Sequence, residues 1–219
     1  MLRLLAVAVA AFGLAAVGLV AVSPASGCCI RVQLLPRHPK SDPPPLAIGD
    51  SVMIAAARTL ARRGFEVDAR EGRFMRSALR ILKTRRRRDT RPSVVVVALG
   101  TNFPPTYREI RRSLRLLGPR RTLALVTPLR SWRPLPAPAI WRAARNHPRR
   151  VRVLDWAGLS VRHPEWFWGD GTHLRPGGAR AYARLLHCAI AVRVNPGPAC
   201  SWTRPKTRVA PRRDRGSLR

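Results

Sequence analysis

The segment SVVVVALG, residues 93–100, limits what this chain can fold into more than any other stretch. Four consecutive valines without a polar interruption suit a strand covered on both faces, because a strand with one wet face alternates. Such a strand belongs in a parallel sheet layered between helices. The surrounding sequence alternates accordingly. PLAIGD (45–50) reads as a first strand, SVMIAAARTLARR (51–63) as a helix stopped by Gly64, and FEVDA (65–69) as a second strand. RFMRSALRILKTRR (73–86) is a second helix, and the valine run is the third strand. TYREIRRSLRLLG (106–118) is amphipathic and closes on Gly118; TLALVTP, AIWRAARNH and VRVLDW continue the order; PGGARAYARLLHCAIAV supplies the last helix, with Pro176 in its first turn. Five apolar strands with intervening helices predict an open five-stranded parallel α/β sheet with helices on both faces, over residues 46–191.

The flanks are different material. Residues 1–27 are expected to be a signal peptide or a membrane anchor, because after Arg3 the apolar stretch beginning LLAVAVAAFGLAAVGLVAV carries no charge. This predicts an extracytoplasmic protein, secreted or anchored. Residues 28–45 are proline-rich and read as a linker; residues 192–219 are basic and read as a disordered tail. The chain carries 42 Lys and Arg against 11 Asp and Glu, a formal charge of +31. That favours polyanion contact, with an anionic wall polymer or membrane surface as partner. Nucleic acid is disfavoured, because nearly all the excess is Arg in a chain also rich in Ala, Gly and Pro, as a GC-rich genome produces without selection for a ligand. Cys28, Cys29, Cys188 and Cys200 lack C-x-x-C spacing and the five histidines are scattered, which gives a zinc site little support. Cys188 and Cys200 could be bridged or remain two thiols.

In a parallel sheet, reactive side chains gather on the loops that leave the carboxyl ends of the strands. The first such loop holds Gly49, Asp50 and Ser51; the second holds Gly72; the third holds Gly100, Thr101 and Asn102; the last holds Asp170 and His173. Asp50 and Ser51 are also good helix caps. A serine hydroxyl becomes a nucleophile when an imidazole takes its proton and a carboxylate fixes that imidazole's tautomer. The three-residue separation of Asp170 and His173 lets one loop present both. The oxyanion formed on an ester carbonyl needs preorganised donors, for which the Ser51 N–H, the Gly72 N–H and the Asn102 side-chain amide are candidates.

These residues carry a resemblance. GDSVM, the glycine of EGR, GTN and DGTH are similar to the four blocks of the SGNH (GDSL-type) hydrolases, in that family's order, over roughly residues 46–190. The likeness is strongest to the extracytoplasmic SGNH domain of bacterial cell-wall O-acyltransferases. It implies a flavodoxin-like sheet, Ser51 as nucleophile, His173 as general base, Asp170 as its orienter, and an oxyanion hole of Ser51, Gly72 and Asn102. It implies no metal or organic cofactor. Phe103 stands where the family often has an aspartate, and Arg175 where relatives commonly place a helix-capping threonine.

The expected activity is acyl-ester hydrolysis or O-acyl transfer through an acyl-serine, on an O-acylated cell-envelope carbohydrate or a small ester. Transfer would call for a separate membrane protein as acyl donor. The competing expectation is a catalytically inactive polyanion-binding module of the envelope. Met53 occupies the second glycine position of a G-x-S-x-G elbow, which argues against the larger α/β-hydrolases. Trp166, Phe167 and Trp168 could wall an acyl or sugar site or pack their loop onto the domain, and Trp132 is equally open.

Overall fold

The computed structural model describes residues 30–39 and 41–191. The segments expected to be leader and tail, with Cys28, Cys29 and Cys200, lie outside them. Among the described residues no helix is long and apolar enough to cross a membrane.

Five strands run parallel as expected: β2 (Leu46–Gly49), β3 (Glu66–Arg70), β4 (Val94–Ala98), β5 (Thr122–Val126) and β8 (Val151–Leu154). They stand in the order β3-β2-β4-β5-β8, so the chain starts near the middle and winds outward both ways. A sixth strand extends the sheet: β1 (Arg31–Leu34) pairs antiparallel with β3, Arg31 opposite Arg70 and Leu34 opposite Val67. It falls inside the stretch read as linker, so the five-stranded expectation is one edge strand short. RVQL alternates exposed Arg31 and Gln33 with half-buried Val32 and Leu34, as an edge strand does. A two-strand hairpin, β6 (Leu129–Arg130) and β7 (Arg133–Pro134), lies apart from the main sheet.

Each face of the sheet carries its own apolar layer. On one face α1 (Ser51–Ile54), α2 (Ala57–Arg62), α6 (Trp156–Ser160) and α7 (Pro176–Ala191) cover Ala47, Val67, Val96 and Ala124. On the other, α3 (Met75–Arg87), α4 (Tyr107–Leu117) and α5 (Pro138–Asn146) cover Ile48, Val95, Val97 and Leu125. Valines of β4 therefore point alternately into both layers, which is why the run shows no polar position. The single helix expected over 51–63 is broken at Ala55 and Ala56 into α1 and α2. Cys188, buried on α7, is disulfide-bonded.

Candidate active site

All parallel strands end on the same rim, and the first helix there starts with Ser51. Asp50 is its N-cap: one carboxylate oxygen accepts the Val52 N–H at 3.1 Å. As the first residue of α1, Ser51 has a backbone N–H without an intrahelical acceptor. Its hydroxyl lies 3.0 Å from His173 Nε2, and His173 Nδ1 lies 2.5 Å from Asp170 Oδ2. Residues separated by 122 positions thus meet in one hydrogen-bonded chain, with the imidazole between hydroxyl and carboxylate. Asp170 Oδ1 also accepts the N–H groups of Thr172 and His173, at 2.9 and 3.0 Å. Partial burial pulls the Asp170 carboxyl upward, but the imidazole and these two N–H groups outweigh it and hold it below its usual range. The His173 and Asp170 side chains remain 46% and 48% exposed, so an ester reaches them without any opening of the fold.

The loop carrying Asp170 and His173 is clasped at its base. Phe167 and Leu174 form an antiparallel bridge, Trp168 N–H donates to His173 O, and Arg175 N–H donates to Trp166 O. Trp166 stacks on Trp156 and on His163, and Phe167 is buried against Trp156. These two aromatics therefore pack the loop. Trp168 is half exposed, with the Arg175 guanidinium 5.1 Å from its ring centre. Trp132 supports the loop tip: its N–H donates to Gly171 O, the Ser131 N–H donates to Thr172 Oγ1, and the indole lies against Gly171 where a Cβ would stand. Ser131 and Trp132 both have positive φ, 51° and 59°, the pattern of a tight two-residue hairpin turn that Asn-Gly normally fills. Holding two L-residues there costs about 1–2 kcal/mol each, which the contacts with the Asp170–His173 loop offset.

Gly72 sits in the turn after β3 with φ of 63°, a left-handed conformation that disfavours any side chain. Arg73 pins that turn: it is buried, donates to the Asp68 carbonyl, and forms an ion pair with the Asp68 carboxylate at 2.6 Å. Asn102 Nδ2 donates to the Arg73 carbonyl at 3.5 Å, drawing the third loop against the second. The proposed oxyanion donors Gly72 and Asn102 are thus on adjoining loops. Arg73 is a support that residue-type reasoning missed, whereas Trp132, left open between walling a site and packing, packs against Gly171. Nothing in EGRF marks Arg73 as special.

Asp50 is almost wholly buried, and among the described residues its second oxygen accepts no hydrogen bond. Burial raises its carboxyl from 3.8 to about 6, partly offset by the Val52 N–H, the Thr101 hydroxyl and the charge of His173. Beside it, Thr101, Thr127, Trp156 and Tyr182 help enclose a cavity of about 10 Å³, room for one water at most. Among the described residues no group of three or more His, Cys, Asp or Glu side chains could hold a metal ion.

A parallel doubly covered sheet with these four loops at its carboxyl rim is the architecture of an SGNH hydrolase-type domain. Two solved structures share the fold. The C-terminal catalytic domain of peptidoglycan O-acetyltransferase A from Streptococcus pneumoniae superposes with a TM-score of 0.57 at 24% identity, over 68% of this chain and 92% of that one. A candidate SGNH hydrolase from Slackia heliotrinireducens gives 0.51 at 17% identity, over 67% and 97%. In sequence the chain is similar to peptidoglycan O-acetyltransferases. It is 31% identical over 145 residues to YrhL of Bacillus subtilis, a candidate peptidoglycan O-acetyltransferase, covering 64% of this chain and 23% of the relative. The corresponding values are 30% over 146 residues for the O-acetyltransferase OatA of Staphylococcus aureus, covering 65% and 24%. For peptidoglycan O-acetyltransferase OatA of Listeria monocytogenes they are 32% over 145 residues, covering 64% and 23%. The chain spans about a quarter of the length of these curated relatives. No family model matches the chain.

Proposed function

We propose that this domain is a serine acyl-ester hydrolase or O-acyltransferase that works outside the cytoplasm on O-acylated cell-envelope carbohydrate. One observation carries the reading: the Ser51 hydroxyl, His173 imidazole and Asp170 carboxylate stand in sequential hydrogen-bond contact on an open rim. Ser51 Oγ attacks the acyl carbonyl while His173 Nε2 takes its proton, and Asp170 steadies the imidazolium through Nδ1. The negative charge on the former carbonyl oxygen is met by the N–H groups of Ser51 and Gly72 and the amide of Asn102. Collapse returns the proton from His173 to the departing alkoxide and leaves an acyl-Ser51 ester. A second hydroxyl, from water or from a sugar, then repeats the sequence and frees the serine. Water makes the domain an esterase; a sugar makes it a transferase, with a separate membrane protein delivering the acyl group. The N-terminal apolar segment would secrete the domain or tether it to the membrane.

A catalytically inactive polyanion-binding module would account for the charge but leaves the hydroxyl–imidazole–carboxylate chain without a purpose. The deciding experiment is p-nitrophenyl acetate hydrolysis by the purified full chain and its Ser51→Ala variant. We expect the variant to lose at least about 10³-fold in kcat. Equal rates would remove Ser51 as nucleophile.

A further inference from the structure

We propose that the end of the sheet opposite Ser51 is a docking surface for a phosphodiester polymer of the cell wall, a polyol phosphate chain, held by arginines on the connections that enter β4, β5 and β8. The partner's identity rests on the proposed work outside the cytoplasm; the surface itself does not depend on Ser51.

The connections are residues 87–93, 118–121 and 147–150, and they lie side by side because β4, β5 and β8 are neighbours in the sheet. Each contributes a half-buried arginine, Arg91, Arg121 or Arg150, and an exposed one, Arg88, Arg120 or Arg149. The half-buried three lace the connections together. Arg121 Nε donates to the Arg91 carbonyl at 3.2 Å, Arg150 Nε donates to the Arg121 carbonyl at 3.5 Å, and Arg150 Nη2 donates to the Leu114 carbonyl at 2.9 Å. A Cβ on Gly118 would stand 3.6 Å from Arg91 Nη1 and 3.7 Å from Arg121 Nη1, so two guanidiniums flank one point of the surface. Carbonyls orient these groups but leave their charge uncancelled.

Carboxylates are scarce at this end. The three connections hold one, Asp89, which pairs with Arg91. Among the described residues no carboxylate pairs with Arg88, Arg120 or Arg149. Asp50, Glu71, Asp155 and Asp170 stand beyond the other end of the strands. A compositional excess of arginine raises the charge everywhere and does not sort acids to one end. Helix dipoles favour a cation in the last turn, but α3 ends in Arg85, Arg86 and Arg87 with Arg88 as its cap, and like charges this close repel one another. An external anion relieves that repulsion.

Arginine forks take phosphate oxygens in pairs. A polyol phosphate carries its charge in the backbone, one per repeat, and can follow a row of arginines set at the strand spacing of about 4.8 Å. Carboxylates hung on sugar rings recur at wider intervals. A bilayer fits less well, because peripheral membrane binding buries apolar side chains, and among the described residues none of the exposed large hydrophobics lies on these connections. A five-residue strand spans about 16 Å, so a docked polymer leaves the Ser51 rim open.

The test is equilibrium binding of the full chain to poly(glycerol phosphate) across a salt series. The triple variant Arg88→Gln, Arg120→Gln, Arg149→Gln should bind at least about tenfold more weakly at physiological salt, with a logarithmic salt slope shallower by about 2. The triple Arg58→Gln, Arg180→Gln, Arg184→Gln makes the same charge change at exposed positions of α2 and α7 and should cost about twofold or less. The first triple should hold or raise the urea midpoint, since it removes like-charge repulsion; a fall would make these arginines structural and overturn the surface. Equal losses from the two triples would show that overall charge alone holds the polymer, and would overturn it too. Tighter binding to polygalacturonate or to phosphatidylglycerol vesicles than to the polymer would overturn the phosphodiester partner. Each of these results leaves the serine reading intact, whereas ester hydrolysis that survives Ser51→Ala would sink that reading and leave polymer binding untouched.

Discussion

Replacing Asp50 with asparagine should change how the domain's stability depends on pH. The carboxyl is 1% exposed, and burial raises it from 3.8 to about 6. The folded state therefore binds this proton more tightly than the unfolded chain does. Its stabilising contribution is complete below pH 3.8, declines as the pH rises through about 6, and is lost above that. A displacement of about 2.2 units, at about 1.36 kcal/mol per unit, makes the loss about 3 kcal/mol between pH 3.5 and pH 8. Asparagine does not titrate, caps a helix as well as aspartate does, and keeps an oxygen for the Val52 N–H. Urea unfolding of both proteins across that range gives the difference directly, because every other titrating group is common to both and cancels. The asparagine variant should gain on the parent as pH rises, by about 1–2 M in midpoint at a slope of about 2 kcal/mol/M. Repeating the series in a His173→Ala background removes the one neighbouring charge that couples to Asp50. A difference that stays flat from pH 4 to pH 8 in both backgrounds would refute the claim that burial raises the Asp50 carboxyl behind Ser51.

Asp170→Asn should lower kcat for p-nitrophenyl acetate by about 10²- to 10⁴-fold, since the amide stabilises the wrong imidazole tautomer; an unaffected kcat would show that His173 is oriented without it. Asn102→Ala should cost about 10²- to 10³-fold in kcat with little change in KM, read in the same assay, and a purely KM effect would move Asn102 from transition-state donor to ground-state contact. Gly171→Ala places a methyl against the Trp132 indole and should destabilise by about 1–3 kcal/mol, visible as a lowered urea midpoint; an unchanged midpoint would mean that the hairpin yields freely. A chain begun at Pro36 lacks β1 and leaves β3 as an open edge, so it should show a lower midpoint and concentration-dependent association by light scattering; a monomer of full stability would make β1 dispensable.

Legibility in the sequence followed burial. The strands of the parallel sheet are covered on both faces, so β4 and β5 show as uninterrupted apolar runs whose ends locate the loops. β1 escaped because an edge strand of four residues needs only Val32 and Leu34 turned inward, and proline follows closely on its end. The break between α1 and α2 falls in three consecutive alanines, a sequence that favours helix throughout, so tertiary packing decided it. The meeting of Ser51, Asp170 and His173 could be anticipated because a hydroxyl–imidazole–carboxylate chain requires particular side chains at strand ends. Arg73 could not, because its work is to hold backbone in place, and many residue types do that in other folds; Trp132 stood out as an aromatic, but its sequence left walling and packing equally open. Trp166 and Phe167 pack the Asp170–His173 loop, while Trp168 stays half exposed, a division that depends on the Phe167–Leu174 bridge and on no local pattern.

The supports of the rim share a physical character that ties the site to the stability of the domain. Ser51 starts a helix capped by a buried carboxyl with one unsatisfied oxygen. The Asp170–His173 loop rests on two residues with left-handed backbone, and the Gly72 turn is held by a buried Arg73–Asp68 ion pair. Each arrangement is less favourable than an apolar or relaxed alternative of similar volume. Each also fixes one rim component in a single geometry, which catalysis by preorganised groups requires and cohesion of the core does not. Substitutions that relieve these three points without removing Ser51, His173 or Asp170 should therefore raise stability while lowering kcat, whereas relief of equal size at the far end of the sheet should leave kcat alone.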